Sequence, residues 1–160
     1  MLYKSTRGQY RQVSSAEAIK MGIAPDGGLF VPSEEVRVSP DQLREWAGLD
    51  YRGKAVRILK EYLTDFTLEE ITECVSLAYS TGRFDAPEIA PLHKLEDSLH
   101  VLELWHGPTS AFKDLALQIL PHLLTRAAAK TGEEATIVIL VATSGDTGKA
   151  ALEGFKDVEG

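Results

Sequence analysis

Residues Thr136–Ala142 form an unbroken run of β-branched and apolar side chains, bounded by polar stretches on both sides. A strand that is apolar at consecutive positions, and not at alternate ones, is built for burial on both faces. Such strands belong to parallel sheets covered by helices. The loop Thr143–Gly148 leads from this strand into an expected helix over Lys149–Phe155. Upstream, His100–Trp105 reads as a second strand and Ala111–Lys130 as a long helix interrupted by Pro121. Proline inside a helix removes a backbone bond and costs about 3 kcal/mol, so a kink or break is expected there. Strand, helix, strand, helix is the order of a doubly wound α/β domain. Two parallel strands alone leave open edges and half-covered faces. The chain, ending at Gly160, is therefore expected to be the front part of a larger protein and to lack the carboxy-terminal part that completes its sheet.

The first half reads as mostly helical. Gln9–Val13 is expected as a brief strand, and Ser15–Met21 as a helix capped by Ser14 or Ser15. Ala24–Pro32 contains Pro25-Asp26-Gly27-Gly28, a turn signal because glycine reaches positive φ cheaply. Pro40–Ala47 follows as a helix with proline in its first turn. Tyr51–Leu63 is amphipathic, with Ala55, Ile58, Leu59 and Tyr62 on one face. Over Thr67–Ser80, Thr67 and Glu70 make a capping box, and Leu68, Ile71, Val75 and Ala78 make the apolar stripe. Cys74 lies beside that stripe and reads as a small buried hydrophobe. The Gly- and Pro-containing stretch Gly82–Pro91 marks a boundary. The expected division is a helical domain over 1–85 and an incomplete α/β domain over 86–160.

Composition removes several function classes. The 160 residues carry a formal charge of −7 and no basic stripe, which argues against a nucleic-acid-binding domain. A single cysteine excludes an internal disulfide framework and a cysteine-rich zinc site. The amino terminus has no apolar core of a signal peptide. The longest apolar run, Ile137–Ala142, falls far short of the roughly 20 residues that span a bilayer. A cytoplasmic location is the default expectation. His93, His100, His106 and His122 show no metal-ligand spacing, so no metal is expected.

Two segments carry candidate chemistry. The loop Thr143-Ser144-Gly145-Asp146-Thr147-Gly148 sits between the buried strand and a helix start, where free N–H groups and the helix dipole favour an anion. Its alternative is a plain capped helix with Asp146 or Thr147 as N-cap. The glycine spacing is neither that of a Walker A loop nor that of a dinucleotide fingerprint. In Trp105–Asp114, Lys113 falls in the first turn of the long helix, where the dipole opposes a cation. Desolvated there, it is a nucleophile or base; solvated, it is an ordinary lysine beside an aspartate. Ser110 and Lys113 also spell Ser-x-x-Lys, used by some serine hydrolases, but Ser110 as a helix N-cap explains the serine.

Trp105–Thr109 with Ala111–Asp114 resembles the lysine segment of threonine synthases, and Ala142–Gly148 resembles their substrate loop. Tyr3–Gly8 and Ala24–Pro32 are similar to the amino-terminal signatures of that family. The resemblance spans nearly the whole chain. It implies a pyridoxal-phosphate enzyme of the fold type shared with tryptophan synthase β subunits. By this resemblance Lys113 forms the Schiff base with pyridoxal 5′-phosphate and shuttles protons. The substrate is the phosphorylated amino acid O-phospho-L-homoserine, and the products are threonine and phosphate. Thr143, Ser144, Gly145, Asp146 and Thr147 hold the substrate carboxylate. Asp146 lies near the cofactor's 3′ oxygen, where relatives in the wider fold carry asparagine. Phe112 either packs near the ring or is a core aromatic. The later glycine-rich loop that holds the cofactor phosphate in the family is not in this sequence, so these residues alone are expected to bind cofactor poorly and not to turn over. Three rivals stand beside this reading. They are a threonine-synthase-like phospholyase that eliminates phosphate without hydration, a Ser-x-x-Lys hydrolase, and a non-catalytic interaction module. Arg7 either reaches an anion or holds a buried turn.

Overall fold

The computed structural model describes residues 1–159; Gly160, the last residue of the expected second domain, lies outside the described residues. Local capping sets most of the first half. In helix α1 (Ser15–Met21) the Ser14 hydroxyl accepts from the Glu17 N–H while the Glu17 carboxylate accepts from the Ser14 N–H. The same reciprocal box, Ser39 with Gln42, opens α2 (Pro40–Ala47), and Thr67 with Glu70 opens α4 (Leu68–Ala78). Asp50 caps α3 (Tyr51–Tyr62) alone. Each box satisfies helix-end donors that burial would otherwise strand.

Strand β1 (Tyr3–Ser5) pairs antiparallel with β2 (Phe30–Pro32), with Lys4 opposite Val31. The strand expected over Gln9–Val13 is reduced to one bridge between Val13 and Tyr3. Gly8, at φ +69°, turns the chain ahead of it. Asp26 ties the two amino-terminal signatures together. Its Oδ1 accepts from the Ser5 hydroxyl at 2.6 Å and from the Gly28 N–H at 3.0 Å, and its Oδ2 accepts from the Gln9 N–H at 3.0 Å. Arg7 donates to the Asp26 carbonyl, so it holds the turn.

The core gathers Phe66, Ile71, Cys74, Val75, Tyr79, Ile89, Ile119, Leu123 and Ala127, among others. Cys74 is 1% exposed, and burial raises its thiol to about 11, the behaviour of an inert core residue. On α4 the buried stripe is Ile71, Cys74, Val75 and Ala78, whereas Leu68 is exposed. On α3 the face packed on the core is Tyr51, Ala55, Val56 and Leu59; Ile58 and Tyr62 point outward. Residues from both sides of the expected boundary near position 85 enter this one cluster.

The second half departs from expectation in three places and bears out the break expected at Pro121. The strand expected over His100–Trp105 is β4 (Leu99–Leu102), and it pairs antiparallel with β3 (Leu92–Glu96). The long helix expected over Ala111–Lys130 is divided into α5 (Asp114–Leu117) and α6 (Leu120–Lys130). The break falls at Gln118–Ile119, because Pro121 is tolerated only in the first turn of a new helix. The final helix, α7, runs Asp146–Phe155 and so takes in the second half of the expected loop. Thr136–Ala142 forms no strand, with Val138 79% and Leu140 92% exposed. A strand exists through a neighbour's hydrogen bonds, and the described residues place none beside it.

Helix α6 packs on α1 and α4, and α7 packs on α5 and α6. The α5–α7 crossing depends on Gly154, where a Cβ would lie 2.1 Å from the Leu117 carbonyl oxygen. That oxygen is backbone and cannot rotate away. G154A is expected to cost about 1–3 kcal/mol, the usual range for overpacking. Urea denaturation checks this, and an unchanged midpoint would mean that the two helices separate freely.

Candidate active site around Lys113

Lys113 occupies the position before α5, and its side chain is half-buried. What positions it is the aspartate beside it. Asp114 is fully buried, and its Oδ2 accepts from the Thr109 N–H at 2.8 Å while its Oδ1 accepts from the Thr109 hydroxyl at 2.7 Å. Two bonds from one residue to both carboxylate oxygens close the segment Thr109–Asp114 into a rigid ring. Gly107 permits it, because a Cβ there would sit 2.5 Å from the Asp114 side chain. Ser110 takes φ +56° within the ring and is not a helix cap, correcting that expectation. No hydrogen bond joins Ser110 to Lys113 among the described residues, so nothing here activates the serine.

The Lys113 amine lies 4.5 Å from the centroid of the Phe112 ring, a cation–π contact. Phe112 is 60% exposed, which removes the core-aromatic reading. With only four residues, α5 sums few peptide dipoles, so the dipole argument for Lys113 loses most of its force. The amine makes no ion pair or hydrogen bond among the described residues.

His106 anchors the near side of the ring. Its Nδ1 meets Asp85 Oδ1 at 2.5 Å, its Nε2 meets Glu103 Oε2 at 2.7 Å, and its carbonyl accepts from the Asp85 N–H. Glu103 first, and Asp85 second, raise the imidazole above its ordinary value. Histidine here bridges two carboxylates, an arrangement that favours the protonated ring.

In the loop, Thr143 Oγ1 accepts from the Gly148 N–H at 3.0 Å and the Gly145 N–H at 3.3 Å. Gly145, at φ +141°, is the N-cap residue of α7, and the Thr143 hydroxyl serves the first turn from outside. This corrects the expectation that Asp146 or Thr147 caps. A Cβ at Gly148 would lie 2.7 Å from that hydroxyl, so glycine is required for the contact. Ser144 and Asp146 are exposed, and Asp146 suits the positive end of the helix. The structure thus joins Lys113 with Phe112, and Thr143 with Gly145 and Gly148. Among the described residues no hydrogen bond or ion pair links the two groups. Sequence reading missed Asp114, Thr109, Asp85 and Glu103. The available signal was a threonine and an aspartate five apart around a Gly-Pro turn.

Two expectations follow from this geometry. D114N puts an amide N–H against the Thr109 donors, so one bond is lost and one donor is stranded. The expected loss is about 1.5–3 kcal/mol by urea denaturation, and an equal midpoint would show that the ring does not depend on the carboxylate. His106 has a folded value above the ordinary 6.5. Its stabilisation is therefore fully present below about pH 6.5 and is lost as pH rises through the raised value. The difference in urea midpoint between wild type and E103Q should shrink across that upper window, and a difference independent of pH would remove the charged clamp.

Residues 2–79 match the family model described as threonine synthase N terminus. Threonine synthase of Pseudomonas aeruginosa is 41% identical over 157 residues, covering 98% of this chain and 33% of that protein. Threonine synthase-like 2 of Mus musculus is 39% identical over 164 residues, with 99% and 33% covered. The solved structure of threonine synthase from Brucella melitensis, described as PLP bound, superposes with a TM-score of 0.87 at 39% identity, covering 97% of this chain and 33% of that one. The chain thus spans about a third of the length of the relatives it matches, and its mixed helix and strand content is that of their α/β amino-terminal region. Over nearly its whole length the chain is similar to the amino-terminal third of threonine synthases, and residues 2–79 match that family's amino-terminal segment.

Proposed function

We propose that this chain carries the lysine and substrate-loop segments of a pyridoxal-phosphate-dependent lyase that converts O-phospho-L-homoserine and water to L-threonine and phosphate. The observation that carries the reading is the Thr109–Asp114 ring, which presents an unpaired lysine on a rigid backbone inside a family whose solved relative holds this cofactor. The residues present fit pyridoxal phosphate in their chemistry: an open primary amine at Lys113, an exposed aromatic at Phe112 and an exposed hydroxyl-bearing loop before α7.

In this reading Lys113 holds the cofactor covalently, then takes and returns protons. Asp114 positions the lysine without touching substrate. Thr143, Ser144, Gly145, Asp146 and Thr147 bind the substrate carboxylate through hydroxyls and loop N–H groups, the Gly145 N–H exchanging the Thr143 hydroxyl for substrate, and Asp146 faces the cofactor's ring oxygen. An ionised aspartate accepts only, so that contact requires the proton to lie on the ring oxygen. The bound cofactor supplies an electron sink for carbanion chemistry. The two-domain division at 85/86 belongs to this proposal, as does the need for residues beyond these for turnover. That need is supported by the chain spanning a third of its relatives.

A second reading has a specific basis. Proteins named threonine synthase-like 2 match as closely as several named threonine synthases, at 39–40% identity. A phospholyase outcome, with phosphate eliminated and no water added, uses the same lysine. Product analysis on a polypeptide carrying the remaining two thirds separates threonine from a keto acid and ammonia.

The lysine assignment is tested by borohydride reduction of that longer polypeptide with pyridoxal phosphate, followed by peptide mapping. Lys113 is the expected labelled residue, and K113A should lower turnover on the order of a thousandfold or more. Labelling elsewhere, or turnover retained in K113A, removes Lys113 from the chemistry. In the 160-residue chain alone the expected labelling is weak.

A further inference from the structure

A cavity of about 610 Å³ lies between α4, α6 and residues 157–159. Its walls include Glu73, Arg83, His122, Arg126, Asp157 and Glu159. None of these belongs to the lysine ring or the loop before α7.

One side of this cavity carries Arg83 and His122. The guanidinium of Arg83 donates from Nη1 to Oε1 of Gln118 at 2.6 Å. Gln118 is fully buried, so it fixes the direction of the fork. Arg83 joins no ion pair among the described residues, although the neighbouring Arg126 is bound by Glu73. With its oxygen engaged, Gln118 leaves its Nε2 amide buried and unpartnered. His122 lines the same cavity, and its buried Nε2 has no partner either. Burial first, and the Arg83 charge second, hold the His122 imidazole below its ordinary value.

Native structures leave few buried polar groups unsatisfied, so the His122 nitrogen that lines the cavity calls for a partner. The acidic groups nearby do not serve. Glu73 is taken by Arg126, and the exposed Asp157 and Glu159 make no ion pair with Arg83 among the described residues. An oxyanion brings negative charge and several acceptor oxygens at once, and a guanidinium fork matches two of them.

We propose that this cavity is a binding site for a small oxyanion of the phosphate or phosphomonoester class, held by the Arg83 fork with His122 donating a further bond. Gln118 is the positioning residue, since it orients Arg83 and faces no ligand itself. The site is independent of Lys113 and does not rest on the function proposed above.

The test follows the His122 imidazole by NMR in the 160-residue chain during titration with inorganic phosphate at fixed ionic strength, with chloride as control. A second titration uses O-phospho-L-serine. The expected result is a saturating His122 shift and a titration midpoint raised by about one pH unit, as a facing anion requires. R83Q should weaken binding about tenfold or more, as loss of a charge-assisted pair implies. R83K keeps the charge without the fork and should weaken it several-fold. K113A should bind as wild type does, which separates this site from the proposed active site. Saturation by phosphoserine alone assigns the phosphomonoester, and saturation by both assigns the shared phosphate group. Absence of a saturable shift with either probe overturns the proposal. So does wild-type affinity in a folded R83Q, or in R83K if R83Q does not fold.

Discussion

Both oxygens of the buried Asp114 carboxylate are gripped by Thr109, one through its N–H and one through its hydroxyl. An ionised carboxylate without such partners is very costly to bury. Here the bonds make burial tolerable, and burial in turn shields the bonds from water. The ring they close determines where α5 starts, which way Lys113 leaves the backbone and how near Gly107 must approach. Because α5 carries α7 against its Leu117 carbonyl, the same carboxylate indirectly sets the docking of the last helix.

A second layer of constraint comes from charges that bridge segments remote in sequence. His106 joins the Asp85 region to the strand end at Glu103. Lys130 joins α6 to Glu70 of α4, and Lys20 joins α1 to Glu133 just beyond α6. Exposed pairs of this kind contribute little to stability one by one. Their use is directional, since they set the azimuth at which helices meet around Phe66, Ile71 and Ala127. The rigid scaffold then leaves the hydroxyl-bearing loop before α7 open at the surface, the arrangement expected of a binding loop carried by packed elements.

The helices of the first half were legible because their signals are local. Ser14 with Glu17, Ser39 with Gln42 and Thr67 with Glu70 each complete a cap within four residues. Pro121 likewise marked an interruption, although propensity could not say that the break would fall at Gln118–Ile119. The candidate site was legible in its residue types and order, through Lys113 and Thr143–Gly148. Its support was not. Asp114 read as a solvating neighbour because sequence carries no measure of burial. Asp85 was invisible as a partner of His106 because 21 positions separate the two, and Glu103, only three positions away, because the chain outside a helix does not say which neighbouring side chains turn toward each other.

The strand reading failed for a related reason. Thr136–Ala142 has the composition of a doubly buried strand, but a strand is made by its neighbours, and the described residues set none beside it. The sequence by itself determined the capped helices, the proline break, the Asp-Gly-Gly turn and the order of chemistry-bearing segments, all of which depend on residues within a few positions of one another. Tertiary structure alone decided that Asp114 is buried, that His106 is clamped, that β3 and β4 pair with each other, and that Arg83 faces an open cavity. The β3–β4 pairing depends on a register of backbone hydrogen bonds, and the others depend on which groups desolvate one another, a property of the packed molecule.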